Sequence, residues 1–203
     1  MPYSSFTLKE VKKVFGITLT NSQFSQSAAP VIPSNWLNDL LQESIPLATT
    51  LSTEKARSEF IIAPLLFELR KSLAPHVGLF SGTDFTVAPE EGLNGVCDFL
   101  LTRSQEESGN EIVITAPAIV IIEAKKGDMN AGLGQCAAEM VAAQRFNNEA
   151  GEAIENIYGA VTTGTQWQFL KLTGHELNID MTEYALTPID RILGILHWMV
   201  NHP

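Results

Sequence analysis

The sequence predicts an α/β protein with a central mixed β-sheet between two layers of helices, a three-layer α/β/α sandwich. Three observations favour this fold class. A long amphipathic helical segment precedes three consecutive strand-like segments, a second helical segment follows them, and a further pair of strands precedes a closing helix. A helix that connects strands in this order carries the chain back across the sheet, so parallel as well as antiparallel neighbours are expected.

Length and composition limit the classes of protein that the chain can belong to. A chain of 203 residues with 45% hydrophobic residues can bury one sizeable core. Its longest apolar stretch is far shorter than the roughly 20 residues of a membrane helix, and the first residues lack the apolar core of a signal peptide. The two cysteines are too few for a disulfide framework. We therefore expect a cytoplasmic protein that does not bind membranes and keeps Cys97 and Cys136 reduced.

The charge distribution argues against a protein that coats nucleic acid. The net charge is −10, whereas contacts with phosphate are made mainly by lysine and arginine. The charge is also uneven, because residues 1–72 hold seven Lys or Arg against six Asp or Glu, and residues 73–203 hold six against seventeen. Any basic surface must therefore be local, and a bound divalent metal would offset part of the acidic charge.

The first 50 residues are interpreted as an N-terminal helical extension of a main domain that covers residues 51–203. Local signals for capping, for turns and for amphipathic helices define its elements. They are a short helix with a capping box at Thr7 and Glu10, a proline-bearing polar loop over residues 20–34, and a second helix over residues 36–47. None of these residues indicates chemistry.

The main domain supplies the elements of the predicted sandwich. The first is a long helix over residues 52–73, which Pro64 should kink. The third predicted strand is apolar on both faces near its end, which is typical of a central strand covered by helices on both sides. The other elements are strands at 77–88, 95–102 and 111–124 with a turn signal over 104–110, a covering helix at 129–148, a hairpin at 157–163 and 166–172, and a closing helix at 192–200.

The residues that indicate chemistry lie at the end of that third strand. The two-residue period of a strand places Glu123 and Lys125 on one face and Ala124 on the other. Such charges on a buried strand are costly to desolvate unless they pair or bind something. Asp98, in the preceding strand, is likewise an acid among apolar residues. Two acids on neighbouring strands can share a hard cation with a backbone carbonyl as a third ligand, while Lys125 positions or polarises a water.

These residues, in this order, resemble the motif of the PD-(D/E)XK nuclease superfamily, whose fold is called restriction-endonuclease-like. The similarity covers about residues 52–172, and its last part, residues 158–172, looks like the nuclease domain of type I restriction subunits. The sequence departs from the motif by reading Val-Cys-Asp where Pro-Asp is usual. The matching residues are Glu59 in the helix before the sheet, Asp98 in a strand, Glu123 and Lys125 at the end of the next strand, and Gln135 in the following helix.

The resemblance implies an Mg²⁺-dependent endonuclease, with Mn²⁺ as a substitute and with DNA as the expected substrate. Asp98, Glu123 and the Ala124 carbonyl would bind the metal, and Glu59 would add a metal contact directly or through water. Lys125 would act on the nucleophilic water, and Gln135 would help to orient the site. Many nucleases of this type pair to cut two strands, so a homodimer or a partner protein stays open.

Other interpretations stay open beside the nuclease. The acidic balance of residues 73–203 favours an interaction module that retains the fold and binds protein or nucleic acid without turnover, or a regulatory acidic protein. Glu123 and Lys125 could also be a solvated pair where the strand meets water. Glu54 and Glu68 are rival acids on the helix of Glu59. The four histidines show no metal-ligand spacing, so no histidine-based mechanism is expected.

Overall fold

The computed structural model describes residues 2–103 and 111–203, and the turn expected at residues 104–110 lies outside them. The described residues form an eight-stranded mixed sheet with helices packed on both faces, which confirms the predicted α/β class and its layers. None of the described helices combines the length and the apolar character needed to span a bilayer.

The helices and strands are numbered along the chain. The helices are α1 Leu8–Phe15, α2 Asn35–Leu51, α3 Glu54–Arg57, α4 Ala63–Leu73, α5 Asn130–Glu149 and α6 Ile189–Asn201, with a π-helical segment Ser58–Ile62 between α3 and α4. The strands are β1 Thr18–Ser22, β2 Val77–Asp84, β3 Val96–Arg103, β4 Ala118–Ala124, β5 Asn156–Thr162, β6 Gln166–Thr173, β7 Glu176–Asp180 and β8 Tyr184–Ala185. Short 3₁₀ turns lie at Tyr3–Ser5, Phe24–Ser27 and Pro89–Glu91.

The order of strands across the sheet is β1-β7-β6-β5-β4-β3-β2, and β8 pairs with β6. The pairs β1 with β7 and β4 with β5 are parallel, and the other pairs are antiparallel. Helix α5 makes the crossover between β4 and β5, as the element order predicted. Strand β4 lies in the interior of the sheet and all its residues are buried, which confirms its interpretation as a central strand.

Each face of the sheet has its own apolar core. Helices α2, α4 and α6 cover one face, where they pack with Ile122 and Ala124 of β4. Helices α1 and α5 cover the other face, where Ile121 lies. Since successive side chains of a strand point to opposite faces, Glu123 projects toward α5 together with Ile121. The candidate acid is thus directed into the protein rather than into solvent.

The N-terminal segment belongs to the same sheet and core as the rest of the chain. Its two helices form as expected, but the prediction of a purely helical extension missed strand β1, which pairs in parallel with β7. Leu37 and Leu41 of α2 are fully buried in the core beside α4 and α6. The missed strand reads TLTNS, and its polar residues give no apolar alternation that would signal a strand.

Prolines account for two further differences from the predicted elements. The third predicted strand begins at Ala118 rather than at residue 111, because Pro117 has no N–H to donate to a ladder. The long helix predicted over residues 52–73 is divided into α3, the π-helical segment and α4. Pro64 lies in the first turn of α4, where a missing N–H costs little. The bend predicted at Pro64 therefore takes the form of a wide helical turn immediately before it.

We predict that Gly134→Ala destabilises the protein by about 1–3 kcal/mol, the usual cost of overpacking. A Cβ at Gly134 of α5 would lie 2.2 Å from the Phe6 carbonyl oxygen and 2.6 Å from Thr7 Cα, so the N-terminal segment would have to move. Urea unfolding measures the loss. Gly127→Ala is the matched control, because a Cβ there meets nothing within 4 Å. Equal stability of the two variants would contradict this packing.

Candidate active site

The two predicted acids lie side by side, near the start of β3 and the end of β4. The antiparallel ladder pairs Phe99 with Ile122, and Asp98 and Glu123 each come one residue beyond this pair. Asp98 Oδ2 accepts a hydrogen bond of 2.8 Å from the Ala124 N–H, which fixes the Asp98 carboxylate across the ends of the two strands. The structure therefore brings together the acids that the sequence placed on neighbouring strands.

Glu123 is a buried carboxyl with one satisfied oxygen. Its exposure is 2%, and its Oε1 accepts a hydrogen bond from Lys125 Nζ. Its Oε2 is buried and has no hydrogen-bond partner among the described residues. Burial, assisted by the negative charge of Asp98 and opposed by Lys125, raises the pKa of Glu123 to about 8. A carboxylate in such surroundings is costly, and a cation beside Oε2 would favour its ionised form.

Lys125 is held against α5 at a glycine. A Cβ at Gly132 would lie 3.1 Å from Lys125 Cγ and 2.7 Å from Val161 Cγ1, so the absence of a side chain there makes room for the lysine. Besides its ion pair with Glu123, Lys125 Nζ donates to Gln135 Oε1 at 3.3 Å. Burial is the largest single influence and acts to lower the pKa of Lys125, but the charge and hydrogen bond of Glu123, together with the charges of Glu54 and Asp98, outweigh it, so the pKa lies above the ordinary lysine value. The ammonium therefore stays charged at neutral pH.

Gln135 continues this contact to a residue that sequence reasoning missed. Gln135 Nε2 donates to Glu139 Oε1 at 3.1 Å. Glu139 is fully buried, and burial, followed by the charge of Glu123, raises its pKa well above the ordinary glutamate value. Its Oε2 also has no partner among the described residues. The available signal was an acid four residues after Gln135, one helical turn away on the same face of α5.

A cleft of about 270 Å³ opens beside Asp98. Glu59 lines it, but its side chain is 53% exposed and forms an ion pair of 2.7 Å with Lys55. The rival acid Glu54 also lines the cleft, and its charge raises the pKa values of the buried acid and lysine. The lining residues are Glu54, Lys55, Ser58, Glu59, Ser81, Gly82, Asp98 and Ala124.

The third acid of this helical region takes no part in the cleft. Glu68 Oε1 accepts a hydrogen bond of 2.8 Å from the Ser34 N–H, at the start of α2. Of the three acids in this region, Glu54 and Glu59 therefore line the cleft. Of these two, it is the charge of Glu54 that acts on Glu123 and Lys125.

The donor set is compatible with a magnesium ion. Within residues 2–103 and 111–203, no group of three or more His, Cys, Asp or Glu side chains is arranged to hold a metal ion. Asp98, Glu123 and the Ala124 carbonyl instead offer two carboxylates and one backbone oxygen. Mg²⁺ commonly binds through one or two carboxylates and keeps several waters, whereas structural zinc requires four protein ligands. The unpartnered Glu123 oxygen is a further feature that a cation would satisfy.

The predicted residues thus meet in two adjoining groups. Asp98, Glu123, Lys125 and Gln135 lie in or beside one hydrogen-bonded network, and Glu59 shares the cleft with Asp98. No family model matches the chain, and searches among curated proteins and solved structures found no significant match.

We predict that Glu139→Gln changes how stability depends on pH. Above the ordinary glutamate pKa of about 4.3 the unfolded chain has lost this proton, but the folded protein retains it up to the raised pKa. The parent therefore loses stability as pH rises through this window, by at most about 1.4 kcal/mol per pH unit. The free energy of unfolding is measured in urea at pH 5, 6 and 7. The value for the variant minus the value for the parent should increase as the pH rises.

Glu149→Gln is the control for this measurement, since Glu149 is an exposed acid on the same helix. Its stability difference from the parent should stay constant over the same range. A constant difference for Glu139→Gln as well would mean that Glu139 ionises normally in the folded protein.

Proposed function

We propose that the chain is an Mg²⁺-dependent nuclease of the PD-(D/E)XK type that hydrolyses phosphodiester bonds, with DNA as the substrate. The observation that carries this proposal is the ion pair of buried Glu123 with half-buried Lys125 beside Asp98, which borders an open cleft. A buried ion pair is weak evidence for stability, since apolar residues often replace such pairs without loss. Perturbed pKa values beside a cleft are more typical of a functional site.

Asp98, Glu123 and the Ala124 carbonyl would hold the metal ion. When bound, Mg²⁺ supplies charge stabilisation to the phosphoryl oxygens and lowers the pKa of a bound water. The unpartnered Oε2 of Glu123 supports this assignment, because a neighbouring cation would offset the desolvation of the ionised carboxylate. The hydrogen bond from the Ala124 N–H to Asp98 orients the second carboxylate.

Lys125 serves in this proposal as a charged donor. An ammonium has three N–H donors, and the contacts with Glu123 and Gln135 occupy two of them. Among the residues that the structure describes, none accepts from the third donor, which would hold the attacking water or a phosphate oxygen. Because its pKa is raised, the side chain keeps its proton and stabilises developing negative charge rather than accepting a proton as a base.

A helix acid would assist from the other wall of the cleft. Glu59 was the expected residue, but its carboxylate already pairs with Lys55. Glu54 acts electrostatically on both Glu123 and Lys125, which favours it as the assisting acid. Either carboxylate would contact the metal directly or through a water.

A second candidate function is an interaction module with the same fold and no turnover. The excess of acids in residues 73–203, seventeen against six bases, favours it, because a surface of this charge repels a nucleic-acid backbone. Under this hypothesis the purified protein neither binds Mn²⁺ at Asp98 and Glu123 nor cleaves any nucleic acid.

We predict that the parent cleaves nucleic acid in Mg²⁺ or Mn²⁺ and that Asp98→Asn and Lys125→Met each lower the rate about 100-fold or more, the usual cost of removing a group that stabilises transition-state charge. Single- and double-stranded DNA and RNA are the substrates. Lys126→Met, at the exposed neighbouring lysine, is the matched control and should cleave at close to the parent rate.

Thermal unfolding shows whether each variant is folded. Cleavage by folded Lys125→Met at the parent rate would refute the assigned role of Lys125. A folded parent that cleaves none of the substrates and does not bind Mn²⁺ would favour the interaction module.

We predict that Glu54→Gln weakens Mn²⁺ binding about tenfold or more, in the range typical of groups that support a metal site, and that Glu59→Gln changes it less than threefold. The reason is that Glu54 acts on the buried pair whereas Glu59 is neutralised by Lys55. Isothermal titration with Mn²⁺ and single-turnover cleavage over a series of Mg²⁺ concentrations measure the two variants. If Glu59→Gln weakened Mn²⁺ binding more than Glu54→Gln, Glu59 would be the assisting acid instead.

A further inference from the structure

Glu139 is a fully buried carboxyl that the proposed chemistry does not use. Its Oε2 has no hydrogen-bond partner among the described residues, and leaving a buried polar atom unsatisfied costs free energy. Most neighbours on α5 are small or apolar and pack well without polar groups. Packing alone therefore does not explain why residue 139 is a glutamate.

The reason lies in the two ends of the Gln135 amide. An ammonium has donors and no acceptor, so Lys125 can be met by the carbonyl oxygen of Gln135 and not by its NH₂ group. The NH₂ group then points the other way and needs an acceptor, which Glu139 Oε1 supplies at 3.1 Å. With the amide reversed, donors would face donors at Lys125. An acceptor at residue 139 therefore selects the orientation that serves the lysine.

No solvent reaches Glu139 to replace this contact. The N-terminal segment packs on α5 at Gly134, and Tyr3 is buried with its hydroxyl donating to the Phe85 carbonyl. Burial, followed by interactions with Cys97 and Glu139, raises the pKa of Tyr3 above its ordinary value. Because Glu139 is fully buried, its side chain and not water provides the acceptor.

We propose that Glu139 is a positioning residue that orients Lys125 through Gln135. This inference rests on the proposed function only in that the oriented ammonium serves phosphodiester cleavage. The contact requires an acceptor oxygen at residue 139 and no negative charge, so glutamine replaces the side chain and methionine of similar length does not.

The test compares Glu139→Met with Glu139→Gln by two independent measurements. The first is the side-chain ¹⁵N and ¹³C NMR signal of Lys125, assigned with Lys125→Arg, which does not depend on activity. The second is kcat and KM for cleavage. Glu139→Met should move the Lys125 signal and lower kcat by about 10- to 100-fold with KM little changed, as for other groups that orient a catalytic residue through a partner.

Glu139→Gln should restore both the signal and kcat to near the parent values, which a purely structural defect would not do. Glu149→Met, at an exposed residue of α5, should match the parent. If Glu139→Met does not fold, Glu139→Leu removes the same acceptor with a different apolar side chain and should move the Lys125 signal in the same way.

The outcomes separate the inference from the proposed function. An unchanged Lys125 signal in a folded Glu139→Met or Glu139→Leu protein overturns the inference, and so does a Glu139→Gln protein as impaired as Glu139→Met. A parent that does not cleave refutes the proposed function, while the NMR signals of the variants still decide whether Glu139 positions the lysine.

Discussion

The burial of β4 on both faces is the constraint on which the candidate site depends. A polar group on this strand is out of reach of water, so its hydrogen bonds must be made with other groups of the protein. Lys125 donates hydrogen bonds to Glu123 and to Gln135, and Gln135 donates one to Glu139. The result is a short polar chain that leads from the end of the sheet into the interior of α5. Each group in the chain determines the orientation of the next.

Small residues of α5 make this arrangement possible. Gly132 leaves space for the stem of Lys125, and Gly134 lets the backbone near Phe6 come close enough to cover the helix. On the opposite side of the strand ends, Asp98 borders an open cleft. The site thus combines a buried side, where charges are held by fixed partners, with an open side that solvent can reach. Such a boundary strengthens electrostatic interactions without isolating the reacting groups.

The sequence predicted features that depend on local periodicity. The alternation of a strand was enough to place Glu123 and Lys125 together, and the order of elements was enough to bring Asp98 beside them. It did not predict β1, whose side chains are mostly polar and whose pairing depends on a distant strand. Glu54 could not be distinguished from Glu59, because the π-helical segment that begins between them changes the face each presents. Glu139 was missed because an acid within a helix ordinarily indicates a solvated face.

The pairing of β1 with β7 has a consequence for the order in which the molecule is built. Thr18 lies opposite Glu176, so during translation β1 has no partner until the residues up to Glu176 have been synthesised. The segment that covers α5 must likewise wait for that helix to emerge. Contacts of such long sequence separation form slowly. Until they form, β1 and the segment that covers α5 are exposed to other molecules in the cell. Because β1 is polar, it is a poor template for aggregation while it remains unpaired.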